Sequence, residues 1–143
     1  MSYKEDTQID ESNLEGEWIK QANTYAEYVD QANVYAKQLT ELKNRLKVVK
    51  ASTEMGVRTG KLDIGCKITD KAIAAFVDIN PEVVELEKEI AEAKYKYDMY
   101  NGGVFALEQK KRALENLVKL GMNNFNYSTT SYDDYRNKIV NEQ

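Results

Sequence analysis

From Trp18 onward the apolar residues follow one rule: Trp18, Ala22, Tyr25, Val29, Ala32, Ala36 and Leu39 succeed one another at alternating steps of four and three. That spacing lays them along one seam of a helix of the coiled-coil kind. Leu46 extends the seam, and Tyr28, Tyr35, Leu42 and Val49 recur every seventh residue beside it. The apolar face is therefore wider than a two-stranded zipper needs, and the helix expects more than one neighbour. Ser12-Asn13-Leu14-Glu15 has the spacing of a capping box, which predicts the start of the helix. Carried to about Ser52, such a helix would be ~60 Å long at its usual rise. A compact globule of 143 residues needs nothing of that length.

The periodicity stops between Ser52 and Lys67, where Gly56, Gly60 and Gly65 punctuate a polar stretch that reads as a connector. Thr69 and Asp70 can cap a short helix reaching about Asp78, and Asn80-Pro81-Glu82 supplies an N-cap, a first-turn proline and an acid at the positive end of the next helix. In that helix Val83, Leu86, Ile90, Ala93, Tyr97, Tyr100, Val104, Leu107, Leu114 and Val118 keep the same alternation, interrupted only by Lys111. Asn101-Gly102-Gly103 are strong turn formers that would cost ~2 kcal/mol inside a helix. The seam does not slip across them, so a continuous helix is favoured over a hairpin turn. Gly121 reads as the stop. Beyond it the tail mixes Asn, Ser and Thr with Phe125, Tyr127, Tyr132 and Tyr135, and Ser131-Tyr132-Asp133-Asp134 can cap one last short helix. The expectation is an all-α chain: two long coiled-coil-like helices, a basic glycine-containing connector with a short helix, and a short C-terminal helix or tail. Residues 1–121 would form one oligomerising, nucleic-acid-binding domain and 122–143 a partly ordered tail.

Several functional classes lose their material. The sequence has no histidine, so the commonest general base and metal ligand are missing, and its 24 acidic residues are scattered over helical surfaces where solvation explains them. No catalysis, metal or cofactor is expected. No apolar run is long enough to cross a bilayer, and Met1 to Asp10 lacks the apolar stretch of a secretory signal. Cys66 is the single cysteine and cannot form an internal disulfide. A soluble, cytoplasmic protein is the expectation, in the host cytoplasm if a phage encodes it.

The net charge of −4 conceals an uneven distribution. Residues 1–36 carry −6, residues 37–71 carry +5 and residues 72–143 carry −3. The basic band comprises Lys43, Arg45, Lys47 and Lys50 near the end of the first long helix, with Arg58, Lys61 and Lys67 in the connector. Cations at a helix C-terminus are ordinary, because the helix dipole favours them there. A glycine-bearing connector with cations of its own tilts the reading toward an anion site, and a nucleic-acid backbone is the natural ligand. Gly56-Val57-Arg58-Thr59-Gly60-Lys61 is not a nucleotide loop, since only three residues separate its glycines and Leu62 stands where a metal-binding hydroxyl is needed. The tyrosines could stack on unpaired bases. Their seam positions favour packing instead, and Trp18 reads as an anchor in a helix interface. Trp18, Tyr25, Val29, Leu39, Ile90, Tyr97, Tyr100, Leu107 and Leu114 are the candidate oligomer interface, because two broad apolar faces exceed what one small chain can bury.

The order of these features resembles the UvsY family of bacteriophage recombination mediators. An acidic N-terminus leads to a helix bearing Tyr35-Ala36-Lys37 and Leu42-Lys43, then to the Lys/Arg- and Gly-bearing connector, Thr69-Asp70 and Asp78-Ile79-Asn80-Pro81-Glu82-Val83. A closing helix carries Ala106-Leu107-Glu108 and Ala113-Leu114-Glu115. The likeness spans roughly residues 9–121 and includes no catalytic string. It implies a homo-oligomeric ring that binds single-stranded DNA and helps load a RecA-like recombinase onto strands coated by single-stranded DNA-binding protein. The family's DNA contacts in the segment after the first helix would fall on Arg58 and Lys61. The aromatic, Asn-rich tail departs from the family pattern. A coiled-coil scaffold or adaptor of a phage is the alternative, using the same seams without the basic band.

Overall fold

The computed structural model describes the backbone of residues 2–141 and the side chains of residues 2–124. Among them every regular element is helical: α1 (Tyr3–Asp6), a 3-10 turn (Glu11–Asn13), α2 (Leu14–Arg58), α3 (Asp70–Asp78) and α4 (Pro81–Asn141). The all-α expectation holds. No helix among the described residues is long and apolar enough to cross a membrane.

The boundaries follow from local chemistry, in part other than expected. Ser12 and Glu15 do not form the capping box. Instead Asp10 Oδ1 accepts from the Ser12 backbone N–H at 2.9 Å, and Asn13 Oδ1 accepts from Gly16 N–H at 3.1 Å. Two short side chains thus satisfy donors that the helix start would otherwise leave bare. The far end of α2 lies at Arg58, beyond Ser52, because one glycine among helix formers is tolerated when its neighbours pack. Val57, in that last turn, is fully buried. Gly60 then turns the chain outward at φ +76°, and the Leu62 N–H donates back to Gly56 O at 3.0 Å. The true connector is residues 59–69.

Thr69 caps α3 as expected, its hydroxyl accepting from Ala72 N–H at 3.2 Å. Asn80 caps α4, with Oδ1 accepting from Glu82 N–H at 2.9 Å, and its Nδ2 donates to Thr53 Oγ1 on α2 at 3.1 Å. α4 passes through Gly102-Gly103 without a break and also through Gly121, so the expected stop and the separate last helix are replaced by one continuous helix. Gly121 has a helical φ, and nothing crowds it. It is a glycine without the turn a stop requires. The side chains of Phe125, Tyr127, Tyr132 and Tyr135 lie outside the described residues.

Two compact units divide the chain: Tyr28–Gly102, and Met1–Glu27 with Gly103–Gln143. In the first, Val57, Ile73, Val77 and Val83 form a closed core with Leu46, Val49, Ile64 and Phe76 half-buried around it. Further along, Tyr100 stacks on Tyr35 at 5.5 Å between centroids and meets Tyr28 edge-on at 5.8 Å. In the second unit Leu107 and Leu114 are fully buried.

Candidate nucleic-acid interface

The seven basic residues singled out by sequence separate into two groups within the unit Tyr28–Gly102. Three are held by carboxylates. Arg45 Nη2 lies 3.3 Å from Glu82 Oε1, and Lys50 Nζ lies 3.1 Å from Glu87 and 3.8 Å from Asp78. Arg58 donates from Nε to Glu54 at 2.9 Å and from Nη2 to Asp70 at 3.1 Å. These bonds, Glu54 first and then Asp70, push the guanidinium pKa further up, so Arg58 is a fixed cation whose charge is already answered. The other four, Lys43 and Lys47 on α2 with Lys61 and Lys67 in the connector, are exposed, and none has a carboxylate within 4.0 Å among the described residues.

The connector that carries Lys61 and Lys67 is shaped by its backbone. Gly65 adopts φ +67°, and Asp63 Oδ1 accepts from its N–H at 2.8 Å. Ile64 packs against the core and pins the loop between the two lysines. What these residues offer is four unengaged ammonium groups, two along α2 and two in a short anchored loop. Such groups can approach phosphates without first breaking an ion pair. Arg45, Lys50 and Arg58 would have to exchange a carboxylate for a phosphate.

The candidate interface residues fall in both units. Val29, Leu39, Ile90, Tyr97 and Tyr100 are half-buried in one, as are Trp18 and Tyr25 in the other, where Leu107 and Leu114 are wholly enclosed by their own chain. Sequence reasoning missed the polar centre of that second unit. Lys110 is 4% exposed, its Nζ 2.6 Å from Glu17 Oε2 and donating to the Asp6 carbonyl at 2.9 Å. The pair is ionic, although the approach to Oε2 misses hydrogen-bond geometry. Nearby Gln21, also buried, donates from Nε2 to Leu107 O at 2.7 Å. The Tyr25 hydroxyl meets Glu108 Oε1 at 3.3 Å, and desolvation together with that carboxylate raises its pKa. Only a Lys beside a Leu seam marked Lys110 in the sequence, and Lys111 occupied the seam position instead.

No family model matches the sequence, and neither does any curated protein. Among solved structures, the chain is similar to the crystal structure of the bacteriophage T4 recombination mediator protein UvsY, with 14% sequence identity and a TM-score of 0.70. The superposition covers 84% of this chain and 91% of that one. In its fold, this chain is similar to phage T4 UvsY.

Proposed function

We propose that the protein is a non-catalytic recombination mediator of the UvsY type, working in the cytoplasm of a phage-infected host. It binds single-stranded DNA through Lys43, Lys47, Lys61 and Lys67, assembles into a homo-oligomeric ring, and helps load a RecA-like recombinase onto strands coated by single-stranded DNA-binding protein. The observation that carries this reading is the likeness in fold to UvsY over 84% of the chain. The unengaged lysines add a physical reason, since a cation without an internal partner binds phosphate and releases counterions at no cost in broken ion pairs. Aligning many protomers would convert weak single sites into useful avidity.

Measurement of single-stranded DNA affinity against salt tests the reading. Each phosphate neutralised adds ~0.7 to the salt slope. The variant Lys43→Ala/Lys47→Ala/Lys61→Ala/Lys67→Ala should lose most of the slope while keeping its oligomer mass, and a fully retained slope would reject these residues as the contact. The neutralisation of Arg45, Lys50 and Arg58 by their own carboxylates favours a second reading, a coiled-coil assembly protein of a phage. That reading predicts oligomers with no salt-sensitive DNA binding.

A further inference from the structure

The outward face of α4 carries a second seam. Val84, Lys88, Ala91, Tyr95, Asp98 and Gly102 follow one another at alternating steps of four and three, the spacing of contact positions in a coiled coil. All six belong to the unit Tyr28–Gly102 and all six are exposed, Tyr95 at 69%. The inner seam of the same helix, with Val83, Leu86 and Ala93 buried, already meets its own chain. Exposed apolar residues scattered singly are ordinary, but at contact spacing along one face they mark a surface that another molecule covers.

The order of residues along this face says what fits on it. Val84 and Gly102, Lys88 and Asp98, and Ala91 and Tyr95 are three pairs symmetric about one position, Ala93. Read from its other end, the face therefore offers small for large and acid for base at every level. A second copy laid antiparallel, with the two-fold axis beside Ala93, sets Tyr95 over Ala91, Val84 over Gly102 and Lys88 against Asp98, each contact made twice. A parallel copy would instead set Lys88 on Lys88 and Tyr95 on Tyr95. Among the described residues Asp98 has no cation within 4.0 Å, and Lys88 reaches only Glu85, at 3.7 Å on the exposed helix surface. Both charges are open to a partner. Glu92, held by Lys96 at 3.3 Å, and Lys94 would each meet its own counterpart at the rim of the pair, where water weakens like-charge contacts. One lysine and one aspartate give a phosphate backbone no surplus of cations on this face.

We infer that the outward face of α4 from Val84 to Gly102 binds a second copy of this chain in antiparallel two-fold pairing, along a seam ~27 Å long. A ring closes by head-to-tail contacts, so this self-complementary face is a separate contact that couples copies two by two.

The full-length protein at micromolar concentration would be weighed by light scattering, with circular dichroism as the folding control. Wild type should contain an even number of protomers. Asp98→Lys sets lysine against lysine at both ends of the seam, and Lys88→Asp sets aspartate against aspartate, so each should halve the mass. Lys88→Asp/Asp98→Lys puts opposite charges back in register and should restore the full mass, a rescue that a purely structural role within one chain does not give. Should a charge variant fail to fold, Ala91→Glu decides in its place: glutamate suits an exposed helical position, but here it drives a charge under Tyr95 of the second copy, and the mass should again halve. None of these positions coincides with Lys43, Lys47, Lys61 or Lys67, so DNA affinity against salt tests the proposed function separately and either reading can fail alone. The inference is overturned by a monomeric wild type, by an odd number of protomers, by folded single variants of unchanged mass, or by a charge exchange that leaves the mass halved.

Discussion

Asp70 Oδ1 accepts from Arg58 Nη2 at 3.1 Å, joining the first residue of α3 to the last residue of α2. With Glu54 on its other side, Arg58 is occupied by its own chain. Asp70→Asn should therefore raise single-stranded DNA affinity at low salt by about two- to fivefold, the modest scale of an exposed ion pair. The salt slope should grow by ~0.7 if the freed guanidinium takes one phosphate. Affinity measured across a salt series reads both. An unchanged slope would mean Arg58 never reaches DNA.

Lys110 and Glu17 make the opposite kind of pair, enclosed within their unit at side-chain exposures of 3% and 15%. Removing one partner strands a buried charge. Lys110→Met should destabilise the protein by roughly 3–5 kcal/mol, whereas Lys110→Met with Glu17→Leu should recover most of that loss. Urea unfolding of the two variants distinguishes a costly orphan charge from a pair that matters for its own attraction.

The glycines divide by backbone conformation. Nothing lies within 4 Å of a Cβ placed on Gly102, and its helical position gains from a residue with less freedom in the unfolded chain. Gly102→Ala should add about 0.5–1 kcal/mol. Gly60, at φ +76°, should lose about 1 kcal/mol on the same substitution, because an L side chain strains there. Thermal melts followed by circular dichroism would show shifts of opposite sign.

The start of α2 should be sensitive to acid. Hydrogen bonds from the Ser12 hydroxyl and then from its backbone N–H hold the Asp10 carboxyl below its usual 3.8. A lowered folded-state pKa stabilises fully above the unfolded value and is lost as pH falls through the folded one. Asp10→Ala should lower the melting temperature at neutral pH, and the difference from wild type should vanish in strong acid. A gap independent of pH would place the effect elsewhere.

How much of this was legible in the sequence depended on how local the determining contact is. Thr69 and Asn80-Pro81-Glu82 announce helix starts because a cap and its N–H are two or three residues apart, and both appear as read. Continuity through Gly102-Gly103 was also visible, since a seam in register on both sides leaves no room for a turn. Ser12 misled because three neighbouring residues, Asp10, Ser12 and Asn13, can all cap and only the backbone path selects among them. Ser52 and Gly121 misled for a related reason: residue type suggested an end, while packing of Val57 in one case and an ordinary helical φ in the other let the helix run on. In the basic band, composition identified the segment but not which cations are free. Lys43 and Lys50 look equivalent until Glu87 arrives from 37 positions away to claim the second. Lys110 was invisible for the same reason, its partner lying across the fold.

Asn80 holds two elements with one side chain: its oxygen finishes the first turn of α4 while its nitrogen grips Thr53 on α2. The cap travels with α4, but the bond to Thr53 requires one alignment of the two helices, so sliding α4 along α2 by one helical pitch, ~5.4 Å, would break it. Coiled-coil seams with a repeating apolar pattern tolerate such slips, because each knob finds an equivalent hole a turn or two away. Asn80 is thus the indexing pin of this helix pair, giving a periodic surface a single zero point.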